Sequence, residues 1–272
     1  MPSFETPGPV GLRITSPAGS VAVKTWTEPR VEVEVSPARN DEGTLRAAEA
    51  TRVEAFERGG RHEIVVEVPK REARFGILAR SPELEISIRC PEGADLELTT
   101  HSADLRVSGL LGDVAVKSAS GDAELGNARA LAFTTASGDL SAGAVEGDLA
   151  TKGASGDVNV RAVGGRGSVN TVSGDVRIGS TGEEIAVTTV SGDVELDRTG
   201  GGVRVSAVSG DVRVAARPGL ALWIDAQSVS GSMRSDLDVD DVAPGDAGEP
   251  VVELRIRTVS GDVRIARSAP HP

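Results

Sequence analysis

From Leu96 to Ile265 the chain repeats one apolar pattern around a Ser-Gly-Asp triplet. The triplet begins at Ser120, Ser137, Ser155, Ser173, Ser191, Ser209 and Ser260, with Ser102-Ala103-Asp104 and Ser230-Gly231-Ser232 as degenerate copies. One residue after it stand Leu105, Ala123, Leu140, Val158, Val176, Val194, Val212, Met233 and Val263. Three after it stand Val107, Leu125, Ala142, Val160, Ile178, Leu196, Val214 and Ile265. Apolar residues two apart, with Arg106, Glu124, Asn159, Arg177, Glu195, Arg213 and Arg264 between them, predict a strand with one buried face. A second strand precedes the triplet: Leu96, Val114, Leu131, Leu149, Ile185, Val203, Ile224 and Leu254, then two residues on Leu98, Val116, Phe133, Val169, Val187, Val205 and Ile256. Four residues before the aspartate come Thr100, Ser118, Thr135, Thr171, Thr189, Ala207 and Thr258, so that end of the cross-section must be narrow.

The last triplet residues fall at 104, 122, 139, 157, 175, 193, 211, 232 and 262, a period close to 18 until the final two gaps of 21 and 30. A fixed period of this length is the signature of a solenoid, in which each repeat buries its apolar side chains only against its neighbours. The expected fold is all-β: a single-stranded β-helix or β-solenoid of about nine coils with 18 residues in each. The general preference of crossover connections favours a right-handed coil. Glycines mark both corners of each coil, at the triplet and again near Gly112, Gly147, Gly164-Gly165, Gly182 and Gly200-Gly201-Gly202. Stacked side chains such as Arg177, Glu195 and Arg213 would then be neighbours of alternating charge.

Residues 1–95 lack the strict period and read as a mixed β cap, with strands over Gly11–Val23, Val31–Val35, His62–Val68 and Leu84–Ile88. A helix is expected over about 43–58, stopped by Gly59-Gly60. Leu12, Ile14, Val21 and Val23 around Pro17-Ala18-Gly19 have the spacing of a decayed coil. Residues 235–250, with Asp236, Asp238, Asp240, Asp241 and Pro244-Gly245-Asp246, read as an acidic loop insertion, and 267–272 as a disordered tail.

Composition narrows the function. Phe, Trp and Tyr make up only 2% of the chain, which disfavours the stacking platforms used for sugars and single-stranded nucleic acids. A net charge of −12 disfavours a nucleic-acid partner. The single cysteine, Cys90, has no intramolecular disulfide partner and no zinc-type spacing around it, which suggests a reducing compartment. The sequence shows neither a secretory leader nor a long apolar span, so the expected location is cytoplasmic, without a membrane span.

Candidate chemistry is sparse. His62, His101 and His271 are scattered, and no catalytic, cofactor-binding or metal-binding residues are assigned. The aspartate column invites a calcium reading, but calcium rolls use a nine-residue glycine-rich motif that this chain lacks. The aspartates are expected instead to accept nearby backbone N–H groups, as in Asx turns. Asp236, Asp238 and Asp240 alternate without the glycine and distal glutamate of an EF-hand loop. Ala119, Ala136, Ala154, Val172, Val190, Val208, Val229 and Val259, three residues before the last triplet residue, break the alternation. They are expected to turn inward at the corner and give the coil a third short buried face, because exposed apolar stripes are unusual.

Thr-Val-Ser-Gly-Asp-Val-Arg-Ile at 171–178 and 258–265, and Thr-Val-Ser-Gly-Asp-Val-Glu-Leu at 189–196, carry a family resemblance. Over about 96–266, and more loosely before it, the chain resembles the bacterial β-strand-repeat family called putative adhesin, a domain of unknown function. The resemblance implies a β-helix and a non-catalytic role, and it brings no binding residues. The expected function is a structural or interaction scaffold whose rigid surface meets a protein partner or a second copy in a homo-oligomer. A calcium-stabilised β-roll and a carbohydrate-active β-helix enzyme are the alternatives.

Overall fold

The computed structural model describes residues 2–69, 81–237 and 251–269, most of them in strands. The chain divides into two compact units, Met1–Asp139 and Leu140–Pro272.

In the second unit each coil contributes two strands that pair in parallel with the same strands of the next coil. Val176–Thr181 lies on Val194–Thr199 with Val176 opposite Val194 and Ile178 opposite Leu196. Ile185–Ser191 lies on Val203–Ser209 with Ile185 opposite Val203 and Val187 opposite Val205. Like stacks on like at a spacing of about 4.8 Å, so the apolar columns read from the sequence become continuous buried walls. Val176, Ile178, Ile185, Val187, Val194, Leu196, Val203 and Val205 are all at most 2% exposed. Burying each such side chain contributes about 1.5–3 kcal/mol, and only a neighbouring coil supplies that burial.

The last two coils are stacked out of chain order. Val203–Ser209 pairs with Val251–Ser260, and only then does Val251–Ser260 pair with Ala221–Ser230. Likewise Val212–Ala216 meets Val263–Arg267, which in turn meets Met233–Ser235. The later copy sits inside because it is the more regular one: Val252, Leu254, Ile256, Val263 and Ile265 fill every apolar column and are buried. The earlier copy has Gln227, Ser228 and a three-residue strand Met233–Ser235, a composition suited to an end layer. The 30-residue gap that the sequence shows there is therefore a return path. Of the acidic insertion only 235–237 falls among the described residues; the remainder, and the final residues 270–272 of the expected tail, lie outside them.

The first unit has the same device near its first strands. The strand Val10–Trp26 is a full coil bent at its middle, in register with Asp95–Lys117: Leu12 faces Leu96, Ile14 faces Leu98, Val21 faces Leu105 and Val23 faces Val107. The decayed copy is thus a true coil. On its other side it pairs with Arg61–Glu67 and Glu83–Pro91, so it too lies one layer in. Arg30–Pro37 covers the outer edge of Glu83–Pro91 antiparallel, and the three-residue strand Ser3–Glu5 pairs antiparallel with it in turn, a short edge that limits further pairing.

The helix is shorter than its composition suggests. It spans Glu42–Ala50, with Asp41 as N-cap accepting the Thr44 N–H, and Arg52–Arg58 is a strand antiparallel to Arg61–Glu67. Val53 and Phe56 favour the pleat, and Gly59 and Gly60, both at positive φ, turn the hairpin and do not merely end a helix.

Candidate interaction face

The Ser-Gly-Asp corner organises one exposed face of the 140–272 unit. Gly174, Gly192, Gly210 and Gly261 hold φ between 119° and 147°, and a Cβ on any of them would lie within about 2 Å of a backbone oxygen in the adjacent coil. Before three of these corners a buried threonine turns its hydroxyl back across the bend, Thr171 donating to the Ser173 carbonyl at 3.0 Å, Thr189 to that of Ser191 at 3.3 Å and Thr258 to that of Ser260 at 3.4 Å, while Ala207 fills the place before Gly210. The narrow end of the cross-section is filled as its small hydroxylic residues suggest.

Past the corner the aspartates form a ladder. Asp157, Asp175, Asp193 and Asp211 each accept, through Oδ1, the backbone N–H of the aspartate in the next coil, at 2.8–2.9 Å. Asp262 accepts the Ser232 N–H at 2.8 Å. In the 1–139 unit Asp104 and Asp122 do the same for Asp122 and Asp139. The expected partner was a backbone N–H of the same turn; the observed one belongs to the neighbouring coil, because the bend interrupts the main-chain ladder and the carboxylate replaces the missing carbonyl. The Ser232 N–H, the largest influence on it, holds the Asp262 carboxyl below the usual 3.8. Ionised Asp262 therefore stabilises the fold at pH above that ordinary value, and the contribution is lost as the pH falls through the lowered one.

Stacked carboxylates repel by about 1 kcal/mol in water, and each hydrogen bond returns about as much. Asp193→Ala is expected to cost about 1 kcal/mol in urea unfolding and Asp193→Asn, which keeps an acceptor, less than half of that. An alanine variant more stable than the parent would show that repulsion dominates.

The row three residues before the aspartates does not turn inward. Val172, Val190, Val208 and Val259 are 46–53% exposed and Val229 is 82% exposed. The expected third buried face is absent here because the chain bends one step later, between serine and glycine, leaving valine on the outer side of its strand. Pairing of Ser173 with Ser191, Ser209 with Ser260 and Ser230 with Ser260 places these valines side by side, in the order 172, 190, 208, 259, 229.

Two residues beyond the aspartates runs a charged row. Arg177 and Arg213 both pair with Glu195 between them, at 3.5 and 3.2 Å, which realises the alternating charges expected from the repeat. Glu195 also helps raise the Asp197 carboxyl, whose partial burial is the larger cause. Further along the same column Arg213, Arg264 and Arg234 stand in successive strands, with Arg264 in the middle because of the out-of-order layers. Asp236 relieves this by binding the Arg264 guanidinium through two nitrogens at 2.9 and 2.6 Å. The arginines and Asp193, Asp211 and Asp262 line an open depression of about 330 Å³. Chain order would put Arg234 between the other two, so the arginine stack is readable from the columns, but the middle place of Arg264 is not.

Other reactive groups are scattered. Cys90 is buried, and burial pushes its thiol up to about 12. His62 and His101 belong to separate strands, and His271 lies outside the described residues. Among the described residues no cluster of His, Cys, Asp and Glu has the geometry of a metal site, and no helix is long and apolar enough to cross a membrane. The face offers an apolar ridge, a carboxylate row and a guanidinium row in fixed register, an arrangement that can recognise a surface.

A family described as Toastrack DUF4097 matches residues 20–266. Among solved structures, a putative adhesin from Bacteroides fragilis aligns over 97% of this chain and 95% of its own, at 9% identity and a TM-score of 0.48. A putative lipid binding protein from Parabacteroides distasonis aligns over the same shares at 10% identity and 0.45. A putative cell adhesion protein from Clostridium sporogenes aligns over 97% and 94% at 12% identity and 0.26. No curated protein matches the chain.

Proposed function

We propose that this chain, which belongs to the Toastrack DUF4097 family, is a non-catalytic scaffold whose coils present a fixed surface to a protein partner. The observation that carries this reading is the exposed valine row of the 140–272 unit. The fold has no use for apolar side chains at these positions: they add nothing to the core, and a contiguous apolar strip on the outside of a protein marks a surface that is covered in use. The backbone ladder holds the strip in register, so little ordering entropy is lost when it is covered. Glycine corners and inter-coil aspartates support the same reading, since they fix geometry without providing chemistry.

The test is cross-linking of the full chain in its own cell extract followed by native mass measurement. The expected result is a stoichiometric complex with another protein. An inert monomer under all conditions would overturn the reading, and so would turnover of a sugar polymer by the purified chain.

A further inference from the structure

We infer that the valine row of the 140–272 unit seats an amphipathic helix with a basic flank, supplied by the partner. The inference rests on the scaffold reading above and adds the shape and charge of what is bound. Shape comes first. Neighbouring strands stand about 4.8 Å apart, so Val172, Val190, Val208, Val259 and Val229 form a ridge about 19 Å long that runs across the strands. A helix laid along it repeats its apolar stripe about every 5.4 Å and drifts only about 2 Å over the whole ridge. An extended peptide repeats about every 6.8 Å on one face and drifts about 8 Å, more than a full residue. About 13 helical residues cover the ridge.

Charge sets the flank. Three residues beyond each of Val172, Val190, Val208 and Val259 stands a ladder aspartate: Asp175, Asp193, Asp211 and Asp262. Three residues of chain reach no more than about 10 Å, so the carboxylates border the ridge within about one Debye length at 0.1 M salt. Each uses Oδ1 toward the neighbouring backbone, and the Asp175 Oδ2 also accepts from the Arg177 guanidinium at 3.4 Å. On the other side, two residues before the valines, are Asn170, Thr188, Ser206, Arg257 and Gln227, with no carboxylate. A helix with Lys or Arg along one side of its leucine stripe meets this asymmetry in only one orientation. The row of Arg177, Glu195, Arg213, Arg264 and Arg234 lies two residues further from the ridge, so the aspartates are the nearer charges, and with a net charge of −12 on the chain a basic partner is favoured over an acidic one.

The probe is a synthetic peptide of about 14 residues with leucines at helical spacing and lysines along one flank, its binding to the full chain followed by fluorescence anisotropy. Val190→Asp with Val208→Asp is expected to weaken binding at least tenfold, and Val190→Thr with Val208→Thr, a milder change that keeps the shape, severalfold. Asp193→Asn with Asp211→Asn is expected to weaken it and to flatten its salt dependence, whereas Glu183→Ala, at the opposite corner, leaves it unchanged. Equal binding of a peptide with glutamate in place of lysine would overturn the inference. Binding indifferent to both valine pairs, or no binding at all, would do the same. So would a self-associated dimer that the valine substitutions dissolve, since the ridge would then belong to a second copy. A natural complex that survives in the valine variants removes this assignment and leaves the scaffold reading standing; the absence of any complex removes the scaffold reading itself.

Discussion

Replacing Ile256 by alanine is expected to cost 2–5 kcal/mol, the usual range for emptying a well-packed aliphatic site, whereas Ile224→Ala is expected to cost markedly less. Ile256 is fully buried between Val205 on one side and Ala226 on the other. Ile224 is only partly buried, in a strand that pairs on one side with Val251–Ser260. Chain order would suggest the opposite ranking, because Ile224 precedes Ile256 and the last copy of a repeat is ordinarily the terminal one. Urea midpoints of the two variants decide the matter. If Ile224→Ala proves the more damaging, the inserted position of Val251–Ser260 is wrong. Hydrogen exchange adds a spatial check: Ile256→Ala should loosen Val203–Ser209 and Ala221–Ser230 together, although the first is separated from it by about 50 residues of chain.

Gly192→Ala is expected to destabilise the protein by at least about 3 kcal/mol, from backbone strain and overlap combined. Gly192 has φ of 131°, and an added Cβ would lie 2.2 Å from the Gly174 oxygen and 2.7 Å from its carbonyl carbon. Backbone cannot rotate out of the way, and moving it would open the Val176 to Val194 ladder beside it. Gly219 is the control. Its φ of 80° is also unfavourable to side chains, but nothing lies within 4 Å of a Cβ there. Gly219→Ala should therefore cost only the conformational part, about 1 kcal/mol. Thermal melting of the two variants separates strain from collision, and equal losses would show that the close approach of the corners is not real.

Much of this fold could be read from the columns. Wherever a residue type recurs at the same phase, as Val176, Val194 and Val212 do, stacking in register is the only arrangement that hides all three from water. The same logic found Leu12, Ile14, Val21 and Val23 without a triplet, because the apolar spacing persists after the corner motif has decayed. Two things escaped. Alternation says which residues share a face but not where a chain bends, so Val172, Val190 and Val208 were expected inside on grounds of polarity and lie outside by geometry. The order of copies along the chain also says nothing certain about their order in space. That is why the middle place of Arg264 between Arg213 and Arg234, and its partnership with Asp236, had no signal in the sequence beyond the lengthened last gap. The helix end was missed for a third reason: Arg52–Arg58 has helix-compatible charges but becomes a strand through its hairpin partner, a tertiary effect.

The out-of-order layers carry a consequence for how the polypeptide is made. A stack laid down strictly in sequence can grow behind the ribosome, each new turn docking on the one before. Here Val10–Trp26 is synthesised before the segments that flank it on either side, and Ala221–Ser235 emerges before the Val251–Arg267 layer it must rest upon. Neither end can close until distant chain arrives, and loop closure over such separations is slow. The nascent protein passes through a stage in which Val205 and Val214 face water, or are covered for a time by the wrong copy, whose columns nearly match. Emergence of the Val251–Ser260 and Val263–Arg267 strands, rather than of any earlier repeat, sets the moment at which the second unit can close.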